Sequence, residues 1–256
     1  ITDRPIAGDL PRACHLVSKE DQYNLNNILL QRGVCRLVPL DKCIFDSKGK
    51  VVAGGLFTVR HKEDSDRLIN DRRPFNAMER RLNWARLPHG TMLTQLIVGK
   101  GKGVRGSGDD ICSYFPTLRH LTEWEARNVV GVPFDGKDYQ DFGGLEGSMY
   151  MLGFVVVCMG GSNAVDIAQM THESALIHAG CLRSEETIRY GDVFPDTDCI
   201  EGLYIDDHIV IGIYPNRKAR KQSATFCREL RSSVSQALCR DEEILVDSRN
   251  EYKTVG

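Results

Sequence analysis

The sequence predicts an α+β fold, and three observations carry that expectation. Apolar segments of strand length recur at 51–61, 151–158 and 200–205. Helical spacing of apolar residues appears between them, over 18–30 and from 162 onward. One further apolar run, 208–213, together with 200–205 flanks the acidic pair Asp206-Asp207. A mixed order of helices and antiparallel strands defines this class.

The first helix is expected over Ser18–Leu30, with Ser18 as N-cap, acids in the first turn and Gly33 as the stop. Strands are expected around Cys35–Val38, Cys43–Phe45 and Val51–His61. Asp64–Asn76 is dense in charge, and its apolar pair Leu68-Ile69 suggests a strand end entering a turn. Gly99–Gly108 reads as a flexible Gly/Lys/Arg loop. Its Gly101-x-Gly103-x-x-Gly106 spacing is a weak dinucleotide fingerprint, because no apolar helix follows it. A short helix is expected over Leu121–Val130 and a polar loop or hairpin over Asp135–Gly147. Met151–Cys158 has strand length. Ser162 is placed as the cap of a helix whose stripe is Ala164, Ile167, Ala168, Thr171 and Ala175, ended by Gly180. A last helix with a basic face is expected from about Arg217 to Leu238.

Composition narrows the function classes. A chain of 256 residues with 41% hydrophobic content can bury the core of one large domain or two smaller ones. The formal net charge of −2 means that any nucleic-acid contact must come from a local basic face. None of the nine cysteines forms a C-x-x-C pair, which argues against a zinc ribbon. Free, mostly buried thiols in an intracellular compartment, cytoplasm or nucleus, are expected. No apolar run approaches the ~20 residues of a membrane span, so no membrane partner is expected. The chain begins at Ile1, and further domains of a longer polyprotein are expected partners.

The carboxylates carry the chemistry. A two-residue hairpin prefers Asn-Gly or Asp-Gly, because it needs positive φ, yet Asp206-Asp207 contains no glycine. Adjacent carboxylates raise one another's pKa unless a cation neutralises them. A hard divalent ion such as Mg²⁺ does this with few protein oxygens. A second acidic pair, Asp109-Asp110, precedes the aromatic pair Tyr114-Phe115. Two-metal phosphoryl transfer needs carboxylates from separate chain segments, and these two pairs could supply them. The residues Arg67, Asp71, Arg73 and Asn76 place guanidinium forks that match phosphate oxygens.

Taken in order, these motifs resemble those of a reverse transcriptase. Arg67, Asp71, Arg73 and Asn76 have the spacing of that family's fingers motif, and Arg60 or Lys62 resembles the neighbouring fingers base. Asp109 to Phe115 resembles the first palm motif, an aspartate followed five residues later by an aromatic. Cys158-Met159-Gly160-Gly161-Ser162-Asn163-Ala164 resembles the segment leading into the palm helix, although Cys158-Met159 stands where many members carry Pro-Gln. Tyr204-Ile205-Asp206-Asp207 is similar to the family's aspartate turn. The resemblance covers roughly positions 55 to 215, and its wording is similar to retroelement enzymes of dinoflagellates and related protists.

The resemblance implies a right-hand polymerase core with an antiparallel palm sheet backed by helices, plus fingers, and a thumb absent or incomplete. Fingers would span 1–100 and 121–155, palm 101–120 and 156–240, and a thumb start or tail 241–256. Asp109, Asp206 and Asp207 would hold two Mg²⁺ ions, with Mn²⁺ as an alternative and Asp110 as an alternative to Asp109. Both registers keep an aromatic as the sugar gate: Tyr114 follows Asp109 by five, and Phe115 follows Asp110 by five; Asp109 with Tyr114 is the preferred pairing. Arg60, Lys62, Arg67 and Arg73 would meet the triphosphate of a dNTP, with Met159, Gly160 and Gly161 close to nucleotide and template. Tyr204, Lys218 and Lys221 would meet an RNA or DNA template with its primer. The implied activity is primer extension. The rivals are an inactive or domesticated palm that binds nucleic acid or protein, and an RNA-dependent RNA polymerase.

Overall fold

The computed structural model describes residues 9–63 and 65–215. They form two compact units, each made of discontinuous chain: the described residues up to 82 with 115–164, and 83–114 with 165–215. The expected helix from Arg217 to Leu238 lies outside the described residues, as do Lys218 and Lys221.

The first unit opens with α1 (Lys19–Gln31), where the Ser18 hydroxyl accepts from the Asp21 amide as expected of an N-cap. Strand β1 (Cys35–Pro39) pairs antiparallel with β6 (Met149–Phe154), which pairs on its other edge with β5 (Val129–Asp135). A separate hairpin joins β2 (Gly55–Lys62) to β3 (Ser65–Asp71). Helix α2 (Arg73–Met78) follows directly, with Pro74 in its first turn. Strand β6 is the centre of this unit because both of its faces are buried. Met151 packs with Val38, Phe75 and Val129, while its neighbour Leu152 points the other way into Leu30, Leu56 and Val130.

The second unit is built on a sheet of order β4-β9-β8-β7. Strand β4 (Lys102–Asp110) runs antiparallel to β9 (Asp207–Pro215) across nine paired positions. Strand β8 (Cys199–Tyr204) forms a hairpin with β9, and short β7 (Thr187–Ile188) lies parallel beside β8. Helix α3 (Tyr114–Thr117) spans the boundary between the two units, and helix α4 (Ala164–His178) supplies Leu176 to a cluster with Leu203.

Several expectations are corrected. Gly99–Gly108 is not a flexible loop: the full ladder to β9 overrides the weak strand propensity of its glycines. Leu121–Val130 is a 3-10 turn over Thr122–Arg127 that enters β5. Cys43–Phe45 contributes only a bridge from Phe45 to Val51. The Asp135–Gly147 loop contains a 3-10 segment, Gly136–Phe142. The Ser162 hydroxyl has no hydrogen-bond partner among the described residues and does not cap α4. The buried stripe of α4 runs through Ala168, Gln169, His172 and Leu176, whereas Thr171 is exposed. Among the described residues, no helix is long and apolar enough to cross a membrane.

Truncating Leu152 to Ala should cost about 2–5 kcal/mol, the cost of a cavity in a site that cannot collapse. Urea unfolding of the parent and variant measures it.

Candidate active site

Register decides how the carboxylates are grouped. Asp110 pairs with Asp207, and Tyr204 pairs with Asp207 from the other edge of β9. Directly paired residues share a face, so Asp110, Asp207 and Tyr204 point to one side of the sheet. Asp109 pairs with His208, and His208 with Leu203, so Asp109 belongs to the opposite side. The register therefore sets Asp110, and not Asp109, on the side of the sheet that carries Asp207.

Asp206 lies in the turn between β8 and β9. Its carbonyl accepts from the Ile111 amide at 3.3 Å, which ties the turn to the residue after Asp110. The electrostatics agree with this grouping. Burial first, and then the charge of Asp206, pushes the Asp110 carboxyl above its ordinary pKa. The Asp207 carboxyl is raised by burial, by Asp206 and by Asp110. None of the three is ion-paired to a basic side chain among the described residues. Three uncompensated carboxylates from two chain segments thus lie within electrostatic reach of one another, although among the described residues they do not close to within 4.8 Å as a three-ligand group; carboxylate oxygens are hard donors of the kind Mg²⁺ and Mn²⁺ take.

The turn is strained. Ile205 has φ of 60°, a conformation that a β-branched residue rarely adopts and that costs about 1–3 kcal/mol. Two residues of α4 hold it. Gln169 Nε2 donates to the Leu203 carbonyl at 3.0 Å, and its Oε1 accepts from the Ile205 amide at 2.7 Å. His172 Nδ1 donates to the Ile205 carbonyl at 2.8 Å. The sequence motifs single out neither residue. The available signal was a pair of polar residues spaced i, i+3 beside an apolar stripe.

Tyr114 is not placed to gate a sugar. It is 5% exposed, its hydroxyl donates to the Ala168 carbonyl at 2.8 Å, and its ring packs against His172. Burial and the charge of Asp206 push its phenol up. Phe115 is half-buried and lines a cavity of about 220 Å³ in the first unit, together with Asn70, Met159 and Gly160.

In that unit the Met159–Gly161 segment is clamped. Asn76 Nδ2 donates to the Gly160 carbonyl at 2.8 Å, and Asn76 Oδ1 accepts from the Ser162 amide at 2.9 Å. A Cβ on Gly160 would lie 2.2 Å from the Asn70 carbonyl oxygen, so only glycine fits. Arg72, another residue the sequence did not single out, is buried and paired to Glu79 at 2.8 Å beside Gly161. Met159 is 56% exposed.

The basic residues fare differently. Arg60 and Arg67 are exposed on the β2–β3 hairpin, and Arg67 lies 3.2 Å from the His61 ring. Lys62 is on the same hairpin, across from Ser65. Arg73 is exposed but committed: its guanidinium grips both oxygens of Asp71 at 2.6–3.0 Å. The Arg73 guanidinium, with the Cys14 and Arg73 amides, holds the Asp71 carboxyl down at about 2 against the cost of burial. Tyr204 is 48% exposed.

A second ligand-type group, Glu186, Cys199 and Glu201, lies within 4.8 Å of itself. Both Glu201 oxygens are already engaged, by the Leu182 amide at 3.1 Å and by His208 at 2.9 Å. Burial pushes the Cys199 thiol up to about 12. This group braces the sheet.

No protein-family model and no curated protein matches the chain. Solved structures do match it. One is the structure of the foamy viral protease-reverse transcriptase dRH in complex with ds DNA, with a TM-score of 0.51 and 14% identity over 91% of this chain. The chain spans 31% of the length of that protein. The likeness shows that this chain has a reverse-transcriptase-like, polymerase-type fold.

Two outcomes follow from the charges. Asp71 is ionised more easily when folded, so its stabilisation is complete above the ordinary carboxylate range and fades as pH falls from about 4 to about 2. Asp71→Asn should therefore be less stable than the parent at pH 7, with the gap closing across that window in thermal melts. Asp207 has the opposite sign: its charge opposes folding at neutral pH. Asp207→Asn should melt higher than the parent in chelator, by less than about 1 kcal/mol because the group is exposed. Millimolar Mn²⁺ should stabilise both, because Asp110 and Asp206 remain, and narrow the difference by stabilising the parent more.

Proposed function

We propose that the chain is the fingers and palm of a reverse-transcriptase-type polymerase that adds deoxynucleotides to a primer on an RNA or DNA template. The observation that carries this reading is the gathering of Asp110, Asp206 and Asp207, from two chain segments, at one end of one antiparallel sheet. The unit containing 83–114 and 165–215 takes the palm role, and the other unit the fingers role.

Asp110 and Asp206 would hold divalent metal, with Asp207 contributing less. When bound, such ions offset charge on the phosphates and make the attacking oxygen more nucleophilic. The primer 3′-oxygen would bond to the α-phosphorus of a dNTP as the bond to pyrophosphate breaks. Arg60, Lys62 and Arg67 would pair the triphosphate, since cations carried on one hairpin can reach it. Arg73 would act at one remove by fixing Asp71. Phe115, in register five residues after Asp110, would exclude a ribose 2′-hydroxyl by its bulk. Met159, Gly160 and Gly161 would lie close to the nucleotide and template, and Tyr204 would meet the primer end. The source in a retroelement, the further domains of a polyprotein and the duties of Lys218 and Lys221 belong to the same proposal.

Primer extension with dNTPs and Mg²⁺ or Mn²⁺ tests it. Asp206→Asn and Asp110→Asn should each lower the rate by about a hundredfold or more, whereas Asp109→Asn should stay within about threefold. Phe115→Ala should relax the preference for dNTPs over rNTPs. A parent that binds primer-template but never extends it would replace this reading with a binding palm. A parent that extends only with rNTPs would replace it with an RNA-dependent RNA polymerase.

A further inference from the structure

The Tyr204–Asp207 hairpin has to present Asp206 from a backbone that resists the required shape. The two central residues of the turn are Ile205 and Asp206, and Ile205 carries the positive φ. Glycine is the usual solution at such a position, because no Cβ then opposes it. Here the side chain is β-branched, so something outside the hairpin must hold the turn.

The hydrogen bonds identify what does so. Gln169 bonds main-chain groups on two successive odd positions of the hairpin, the Leu203 carbonyl and the Ile205 amide, while His172 bonds the Ile205 carbonyl. Both polar groups of the strained residue are thus tied to one turn of α4. Gln169 is 3% exposed and His172 is 2% exposed, so water does not compete for these bonds. The backbone carbonyl can only accept, which fixes the hydrogen of His172 on Nδ1. The same turn of helix receives the Tyr114 hydroxyl on the Ala168 carbonyl, and Tyr114 packs on His172. Tyr114 follows Asp110 by four residues. One helical turn therefore braces both chain segments that bring carboxylates to the site.

We infer that Gln169 and His172 are positioning residues, whose three hydrogen bonds to the hairpin main chain hold Ile205 in its positive-φ conformation and thereby aim Asp206. Neither touches substrate. The role in catalysis rests on the polymerase reading above, but the clamp itself does not. Groups that orient metal-holding carboxylates affect metal affinity or activity by about 10–100-fold when removed.

The test uses the full chain and four variants, each first checked by thermal melting and circular dichroism. Gln169→Leu keeps the bulk and removes both amide bonds. His172→Phe keeps a ring and removes the donor. His172→Asn restores a donor at the position of Nδ1 and serves as the conservative rescue. Gln169→Leu combined with His172→Phe measures coupling. Hydrogen exchange at the Ile205 amide reports the clamp without any activity. It should quicken by about tenfold or more in Gln169→Leu relative to the parent. Titration of Mn²⁺ by paramagnetic resonance reports the carboxylate site, and Gln169→Leu and His172→Phe should each weaken it by about tenfold. Primer extension should lose kcat by about 10–100-fold, while KM for dNTP moves less than about threefold. His172→Asn should recover most of both losses, and the double variant should lose less than the product of the single losses.

Unchanged exchange at Ile205 in Gln169→Leu would overturn the clamp. Quickened exchange with parental Mn²⁺ affinity and parental kcat would overturn its positioning role. A parent that shows the exchange and Mn²⁺ pattern but extends no primer upholds the clamp and removes the polymerase reading, so the two failures are distinguishable.

Discussion

Three carboxylates gathered at one end of a sheet repel each other, and the rest of the second unit supplies what holds them there. The nine-position ladder between β4 and β9 fixes Asp110 opposite Asp207. A single backbone bond from Ile111 to the Asp206 carbonyl extends that ladder into the turn. Beneath it, α4 grips the turn by its main chain, and the buried Glu201–His208 contact braces the hairpin from inside. Repulsion at the site is tolerated because each of these contacts acts on backbone or on buried groups, where the geometry cannot relax easily. Leaving one partner of this buried hydrogen bond unsatisfied costs about 1–3 kcal/mol, more than an exposed repulsion returns.

The first unit solves a different problem with related means. Its Met159–Gly161 segment runs so close to β3 that Gly160 has no room for a side chain. Asn76 spans the segment with a donor on one side and an acceptor on the other. Arg72, paired to Glu79, fills the space beside Gly161. The basic residues nearest to these groups divide into two kinds. Arg73 is held by Asp71 and shapes the protein, whereas Arg60 and Arg67 stand in solvent on the hairpin. Spacing in the sequence treats these residues alike, and only their partners separate a guanidinium committed within the protein from those exposed on the hairpin.

Much of the architecture was legible because period and caps are local. Ser18 caps α1, and the apolar runs flanking Asp206-Asp207 became β8 and β9. What escaped depended on contacts distant in sequence. β4 has glycines at 103, 106 and 108 and reads as a loop until its partner strand is known. The choice between Asp109 and Asp110 hinged on a one-residue register, and a slip of one moves every side chain to the other face. Tyr114 and Phe115 are both aromatic, so spacing could not tell which one is buried under α4. Gln169 shares only an i, i+3 polar spacing with His172, and that spacing gains meaning once its partners, Leu203 and Ile205, are seen.

The central claim is that Asp110 and Asp206 form one divalent-cation site from which Asp109 is excluded. Anomalous diffraction from crystals soaked in Mn²⁺ tests it most directly, because the ion's position is read without assuming any activity. The account predicts Mn²⁺ density bonded to carboxylate oxygens of both Asp110 and Asp206, at the metal–oxygen distance of about 2.0–2.2 Å expected for a small hard cation. Density bonded to Asp109, or no density at the turn while Mn²⁺ binds elsewhere on the chain, would contradict it.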